Sequence, residues 1–235
     1  MIGGHKVLGV IPARGGSKGL PRKNILPLAG KPLLAWTIAT AKASRYLDRV
    51  ILSSDDEEIM AVARQYGCDV PFRRPDELAS DRATTMDALH HAMEQVPGYD
   101  IAVVLQPTNP LRTAADIDHS LERLEHSGAA SCVTVTEPDK SPYWTFTMDK
   151  DVLTPLLGEE YAQKRRQDLP RAWVLNGCVY AVRTPWFREH HRLIGKDTVG
   201  QPMPKERSLD IDTELDLQIA ELMLRSSHST RETGT

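Results

Sequence analysis

Apolar residues along most of the chain form short continuous runs separated by stretches with helical spacing. Residues 7–11 are all apolar and end at Pro12 and a glycine cluster, as is typical of a buried parallel strand that leads into a loop. Similar runs predict strands at residues 50–52, 101–105, 132–136 and 179–182.

The segments between these runs carry the signals of amphipathic helices. Apolar positions near residues 33–38, 59–66, 86–96, 117–124 and 215–223 recur at helical spacing. Thr84 with Asp87 and Thr113 with Asp116 have the spacing of capping boxes, which predicts helices that begin after each threonine. Strands and helices that alternate through short links indicate an α/β fold, a mainly parallel sheet with helices on both faces.

The alternation breaks after about Glu137 into a stretch of proline, aromatic and charged residues. We therefore interpret residues 138–172 as a small inserted lobe. The α/β domain is predicted to comprise residues 1–137 and 173–225. Residues 226–235 are polar and poor in apolar side chains, so this tail is predicted to be disordered.

The composition is that of an ordinary globular protein. Of 235 residues, 40% are hydrophobic, 26% charged and 6% aromatic, which excludes disordered, collagen-like and disulfide-scaffold classes. No apolar run approaches the ~20 residues of a membrane span, and we recognise no signal peptide. Three cysteines without metal-binding spacing predict buried free thiols, and we expect a cytoplasmic protein. The net charge of −3 gives no reason to expect nucleic-acid or membrane partners.

Positive charge is concentrated at the start of the chain, where eight basic residues precede the first acidic residue, Asp48. Several lie in the glycine-rich loop 12–24, which follows the first strand, where open α/β sheets bind ligands. Its glycines allow backbone N–H groups to approach an anion, and it adds the phosphate-binding side chains Arg14, Ser17, Lys18 and Lys23. Leu20 breaks the P-loop pattern and Ser17 breaks the dinucleotide pattern, so neither motif is present.

Asp210 and Asp212 form an acidic pair near the end of the chain. In an extended segment, their spacing of two places both carboxylates on one face. Mg²⁺ is commonly held by one or two carboxylates together with substrate phosphates, so the pair is a candidate magnesium site. Asp212 has an alternative role as the cap of a helix that begins near Thr213.

Five segments in order resemble motifs of the bacterial acylneuraminate cytidylyltransferases, the CMP-sialic acid synthetases. They are residues 11–24, 73–85, 105–113, 165–180 and 208–218, and together they span nearly the whole chain. The resemblance implies a Rossmann-like nucleotidyltransferase fold and transfer of CMP from CTP to the anomeric hydroxyl of a nine-carbon sugar acid, with release of pyrophosphate. It also implies dependence on Mg²⁺ and a homodimer in which residues 138–172 are the dimerisation lobe.

The resemblance also implies roles for particular residues. The nucleotide site would comprise Arg14, Ser17, Lys18 and Lys23 at the triphosphate, Asn24 at the nucleoside, and Arg74, Ala79, Ser80 and Asp81 at the cytosine. The sugar-acid site would comprise Gln106, Arg166 and Tyr180. Asp210 and Asp212 would hold the metal and, with Lys23, form the catalytic group.

The identity of the sugar acid stays open. Some sialic-acid enzymes have an aromatic pair near the position of Leu193 and Ile194, so legionaminic and pseudaminic acids are alternatives. A 3-deoxy-manno-octulosonate enzyme is a further alternative, although the first loop of that group differs. A catalytically inactive nucleotide-binding module is the alternative outside enzymes, and the paired aspartates argue against it.

Overall fold

Five of the six strands of the central sheet contain the continuous apolar runs, whereas the sixth, Thr198–Pro202, has the mixed sequence TVGQP and was not predicted. The structure is a computed structural model that describes residues 1–17 and 19–232, the side chains of 227–232 excepted. Its ten strands are β1 Val7–Pro12, β2 Pro27–Leu28, β3 Lys31–Pro32, β4 Arg49–Ser53, β5 Ile101–Val104, β6 Ser131–Thr136, β7 Phe146–Asp149, β8 Val152–Pro155, β9 Val174–Arg183 and β10 Thr198–Pro202. Its seven α-helices are α1 Leu33–Lys42, α2 Glu57–Gln65, α3 Thr85–Gln95, α4 Ala114–Ser127, α5 Glu159–Ala162, α6 Thr184–His190 and α7 Glu214–Glu232.

Six strands form the central sheet in the order β10-β6-β9-β5-β1-β4. β1 is parallel to β4 and β5, and β10 is parallel to β6, which confirms the mainly parallel sheet. β9 is the exception because it runs antiparallel to both β5 and β6. The lobe leaves the carboxyl end of β6 and returns at the same edge, so the strand that follows it must run the opposite way.

Helices cover both faces of the sheet, as the sequence predicts. In β1 and β5, alternate residues belong to different hydrophobic clusters, so that Val103 packs with residues of α1, α2 and α4, whereas Val104 packs with residues of α3 and α6. Both predicted capping boxes are present, with Thr84 and Asp87 at the start of α3 and Thr113 and Asp116 at the start of α4. None of the helices in the described ranges is long and apolar enough to cross a lipid bilayer.

The inserted segment 138–172 lies outside the six-stranded sheet. It contains the antiparallel hairpin of β7 and β8, the short helix α5 and two 3-10 helices. Apolar side chains of the hairpin, including Met148, Val152 and Leu153, are exposed.

The final helix is longer than expected. α7 continues to Glu232, through most of the tail that the sequence predicts to be disordered, and residues 233–235 lie outside the described residues. Residues 226–232 contain neither glycine nor proline, and adding a residue to an existing helix is much easier than starting one.

Candidate functional site

A cleft of about 410 Å³ opens where β1 and β5 end and α3 begins. Of the residues that the sequence places at the nucleotide or metal, its lining includes Arg14, Ser17, Lys23, Asn24, Arg74, Ser80, Asp81 and Asp212, together with Gln106 from the sugar-acid group. The carboxyl edge of a parallel sheet is where α/β proteins bind ligands, so the location agrees with the sequence analysis. Lys18 lies outside the described residues.

Two glycines hold the loop after β1 against neighbouring segments. The Gly15 N–H donates to Asp55 Oδ1 at 3.0 Å, and a Cβ at Gly15 would lie 2.8 Å from Asp56 Oδ2. A Cβ at Gly19 would lie 2.5 Å from the Asp212 carbonyl oxygen. The Gly15 N–H is therefore already bonded to Asp55, and other N–H groups of the loop are the ones open to an anion.

The cations of the loop have different partners. Arg14 donates to the Ser80 carbonyl at 3.1 Å and lies 3.3 Å from Asp81 Oδ1. The ammonium of Lys23, only 13% exposed, donates to the Ile211 carbonyl at 2.7 Å and to Asp212 Oδ1 at 3.0 Å. Because an ammonium has three N–H donors, one remains for a ligand oxygen.

The proposed nucleoside and base residues form the more buried part of the cleft. Asn24 is buried, and its Nδ2 donates to the Arg14 carbonyl at 3.1 Å. Arg74 is 4% exposed and donates from Nε to Ser53 Oγ at 3.0 Å. Burial lowers the pKa of Arg74 to about 10, so the guanidinium remains charged at neutral pH. Ala79 ends a short 3-10 helix behind this wall, and it is the following residues, Ser80 and Asp81, that line the cleft.

The acidic pair sits on an extended segment beside the end of β5. The Ile211 N–H donates to the Thr108 carbonyl at 2.9 Å, while Asp210 and Asp212 both reach solvent. Loss of hydration within the surrounding protein raises the pKa of Asp210, and the neighbouring charge of Asp212 raises it further. The two carboxylates are thus close enough to repel each other, as in a site that attracts a cation.

The cap of α7 resolves the alternative role of Asp212. Thr213 Oγ1 accepts from the Asp216 N–H at 3.3 Å, and the Asp216 carboxylate accepts from the Thr213 N–H at 2.7 Å. Thr213 and Asp216 therefore form the capping box, and the side chain of Asp212 is not the helix cap.

Two of the three sugar-acid candidates lie beside Asp210. Burial raises the pKa of the Tyr180 hydroxyl, and the charge of Asp210 contributes to this shift. Gln106 Oε1 and Asp210 Oδ2 lie 3.7 and 3.6 Å from the position that a Cβ on Gly177 would occupy. Arg166, in contrast, is on the inserted lobe and lines a separate cavity of about 280 Å³ with residues including Glu137 and Leu169. Within a single chain, Arg166 is therefore not part of the cleft.

Sequence reasoning missed a buried arginine beneath the site. Arg112 is 3% exposed and donates to the carbonyls of Cys178 at 2.7 Å and Gln106 at 3.3 Å, and to Thr37 Oγ1 at 2.9 Å. Burial lowers its pKa to about 10. Its hydrogen bonds connect the segment after β5 to β9. The one sign of this residue in the sequence is an arginine within the otherwise uncharged run LQPTNPLRT.

Comparison with known proteins adds a family match and a set of relatives. A family model described as cytidylyltransferase matches residues 8–172. The chain is 32% identical to an N-acylneuraminate cytidylyltransferase of Escherichia coli O18:K1:H7, over 92% of this chain and 51% of that protein. It is 32% identical to a pseudaminic acid cytidylyltransferase of Campylobacter jejuni (95% and 98%) and to a CMP-N,N'-diacetyllegionaminic acid synthase of Legionella pneumophila (93% and 96%). The chain thus spans about half the length of the first relative and nearly all of the other two.

Solved structures agree on the fold. A CMP-2-keto-3-deoxy-manno-octonic acid synthetase complexed with CTP superposes with a TM-score of 0.75 at 18% identity, over 94% of this chain and 99% of the other. A 4-diphosphocytidyl-2C-methyl-D-erythritol synthase from Anaerococcus prevotii superposes with a TM-score of 0.69 at 14% identity, over 95% and 98%. At these identities the structural similarity establishes a shared fold and assigns no role to individual residues.

Proposed function

This chain belongs to the cytidylyltransferase family, and from that premise we propose that it transfers CMP from CTP to the anomeric hydroxyl of a nonulosonic acid and releases pyrophosphate. The observation that carries the proposal is the contact between Lys23 and Asp212, which lie 189 residues apart in sequence. It joins a cationic loop and an acidic pair in one cleft, as a reaction on a metal-bound triphosphate requires.

We assign the two ends of the cleft to the two ends of CTP. Arg14, Ser17 and Lys23 would bind the triphosphate, with Lys18 added on the sequence evidence alone. Asn24 would contact the nucleoside, while Arg74 and the backbone of residues 79–81 would contact the cytosine. The fixed positions of Asn24 and Arg74, each hydrogen-bonded to a neighbouring segment, favour this orientation because a rigid base pocket discriminates best.

The acidic pair fits a magnesium ion. Within the described ranges, no group of three or more His, Cys, Asp and Glu side chains could hold a metal ion, so protein ligands alone do not complete a site. Two neighbouring carboxylates suit Mg²⁺, which takes its remaining ligands from substrate phosphates and water. Bound by Asp210 and Asp212, the ion would neutralise charge on the triphosphate.

The chemistry that remains for the protein is positioning. The anomeric oxygen attacks the α-phosphorus in line with the departing pyrophosphate, and no covalent enzyme intermediate is needed. Arg14 and Lys23 would stabilise the charge that builds up on the phosphate oxygens. Gln106 and Tyr180 would hold the sugar acid on the other side of Asp210.

Pyrophosphate release with CTP and a panel of acceptors tests the proposal. The panel comprises N-acetylneuraminic, legionaminic and pseudaminic acids and 3-deoxy-manno-octulosonate. Relatives named for three different sugar acids are each 32% identical to this chain, so identity alone does not select among them. We expect release with at least one nonulosonic acid. Release with the octulosonate alone would support that alternative, and CTP binding without turnover of any acceptor would support an inactive module.

We further propose that the chain works as a homodimer through its inserted lobe. The lobe and the start of β9 expose nine large apolar side chains: Phe146, Met148, Val152, Leu153, Leu156, Leu157, Trp173, Val174 and Leu175. Exposed apolar clusters of this kind mark protein interfaces. A second copy of the chain is the occupant that the family resemblance implies.

Leu153→Glu is expected to convert the dimer into a monomer, because it places a charge within the apolar cluster. Analytical ultracentrifugation measures the change. The matched control is Leu222→Glu on α7, since Leu222 is 67% exposed and Leu153 is 60% exposed. Dissociation by the control and not by Leu153→Glu would place the interface on α7.

Arg166→Ala is expected to weaken binding of the sugar acid about tenfold or more and to leave CTP affinity unchanged. A guanidinium fork is the best holder of a carboxylate, and Arg166 of the partner subunit would supply it if the lobe reaches across the dimer. Calorimetry with each ligand measures both affinities. Arg165→Ala is the control, because Arg165 pairs locally with Asp168 at 2.8 Å. An unchanged sugar-acid affinity for Arg166→Ala would assign this residue to the lobe structure.

A further inference from the structure

The antiparallel pairing of β5 with β9 stops just before the cleft, and a guanidinium fills the gap beyond it. The last pair of the ladder is Val104 with Tyr180. Two positions beyond it are Gln106 and Cys178, whose carbonyls both accept from Arg112 Nη1, at 3.3 and 2.7 Å. One nitrogen thus takes the place of the direct N–H to carbonyl bonds that a continued ladder would form, and it holds the two segments apart.

Helix α1 fixes the position of this guanidinium. Thr37 is 1% exposed, and its Oγ1 accepts from Arg112 Nη2 at 2.9 Å. Thr40 Oγ1 donates to the Arg112 carbonyl at 3.3 Å. Both the main chain and the tip of the side chain of Arg112 are therefore attached to one helix that does not line the cleft. The separation of the two segments is thus set by a part of the fold outside the cleft.

The charge of Arg112 is not balanced by a bonded carboxylate. Among the described residues, its guanidinium donates hydrogen bonds to uncharged oxygens alone. Asp116, whose charge acts on Arg112, is already bonded to Arg207 at 2.7 and 2.9 Å. Burying a cation in this way is costly, and no neutral side chain offers three N–H donors in one plane. The cost is a reason to expect that these contacts do more than fill space.

Resting on the proposed function, we propose that Arg112 is a positioning residue that sets the width of the cleft at its sugar-acid end. Gln106 lines the cleft and supplies one of the two carbonyls, while Tyr180 ends the ladder on the opposite strand. The distance between these two sugar-acid candidates therefore depends on the gap that Arg112 keeps open. The triphosphate candidates Arg14 and Lys23 follow β1, so their positions do not depend on this gap.

Thr37→Val tests the proposal with little disturbance of the fold. Valine has nearly the shape of threonine and removes the acceptor of Arg112 Nη2, so the guanidinium can shift. We expect kcat/KM for the sugar acid to fall about tenfold, because small displacements of groups that position a substrate have large effects on rate, and the KM for CTP to stay unchanged.

Thr184→Val is the matched control for this substitution. Thr184 is also buried, at 4% exposed, and it donates to the Tyr99 carbonyl at 2.8 Å beside the amino end of β5, away from the cleft. Both variants should lose similar thermal stability, since each loses one buried hydrogen bond, and only Thr37→Val should change the constants for the sugar acid.

Arg112→Lys applies the same test to the guanidinium itself. An ammonium keeps the charge but lacks the planar fork that reaches all three oxygens. We expect a loss in kcat/KM for the sugar acid at least as large as that of Thr37→Val. The double variant should be little worse than Arg112→Lys alone, because both changes act on one contact. Equal losses for sugar acid and CTP, or an effect of Thr37→Val no larger than that of Thr184→Val, would overturn the proposal.

A crystal structure of Arg112→Lys distinguishes failure of this proposal from failure of the proposed function, because it requires no turnover. The distance between the carbonyl oxygens of Gln106 and Cys178 should differ from that of the wild type, with the contact between Lys23 and Asp212 preserved. An unchanged distance would overturn the positioning role. If Arg112→Lys does not fold, the structure of Thr37→Val provides the same measurement. If the wild type turns over no sugar acid with CTP, the proposed function fails, and this distance still tests whether Arg112 sets the gap.

Discussion

Asp212→Asn is expected to lower the turnover number about a thousandfold, while the melting temperature stays close to that of the wild type. Charge stabilisation by a bound metal is worth several kcal/mol, and each ~1.4 kcal/mol changes a rate tenfold. Folding should be little affected because Thr213 and Asp216 cap α7 and Asp212 is 74% exposed. The ion pair lost with Lys23 contributes about 0–1 kcal/mol. Steady-state kinetics over a magnesium titration, together with thermal unfolding, measures both effects.

Glu214→Gln is the matched control for this substitution. Glu214 is an exposed carboxylate two residues further along, at the start of α7, and its neutralisation should leave turnover near normal. Near-normal activity of Asp212→Asn at saturating Mg²⁺ would contradict a metal role for Asp212. In that case Asp210 would be the remaining carboxylate of the pair.

UTP is expected to be a poorer substrate than CTP by a factor on the order of 10⁴ or more in kcat/KM, since a site that pairs a polar edge rejects a base without the matching groups. Cytosine offers an amino donor where uracil offers a carbonyl acceptor. Backbone carbonyls of residues 79–81 could accept from the amino group but would be left facing the oxygen of uracil. Rates of pyrophosphate release with each nucleotide at a fixed sugar-acid concentration measure the ratio.

Variants of two adjacent arginines localise this selectivity. Arg74 is buried against Ser53, whereas Arg73 is exposed and pairs with Asp76 at 2.7 Å. Arg74→Ala should reduce the preference for CTP, and Arg73→Ala should preserve it. Equal rates with CTP and UTP in the wild type would contradict the assignment of the base pocket to this wall.

Local signals in the sequence were enough to predict most of the fold. Five of the six central strands follow continuous apolar runs, and the capping boxes at Thr84 and Thr113 depend on residues three positions apart. β10, with the sequence TVGQP, carries no such run and was missed. The direction of β9 depends instead on where the inserted lobe returns to the sheet, and no local pattern records that. The end of α7 was also missed, because polar composition does not exclude a helix that is already growing.

In the candidate site too, the sequence predicted individual residues and not the contacts between segments that are distant in sequence. Sequence reasoning selected Lys23 and Asp212 separately, and their contact confirms that the two segments meet. It did not find Arg112, because its role depends on a buried carbonyl of a segment distant in sequence. Nor could it show that the Gly15 N–H donates to Asp55, which lies 40 residues away in sequence.

The two ends of the inserted lobe are neighbours in the sheet, since Thr136 on β6 is paired directly with Val174 on β9. The segment between them is therefore an insertion whose first and last residues lie next to each other in the sheet. Closing a chain over such a short gap costs little more for a long segment than for a short one. Lobes from related cytidylyltransferases could thus be exchanged at this junction, or replaced by a tight turn, without altering the strands that carry the cleft. If the lobe forms the proposed dimer interface, such an exchange would alter subunit assembly alone.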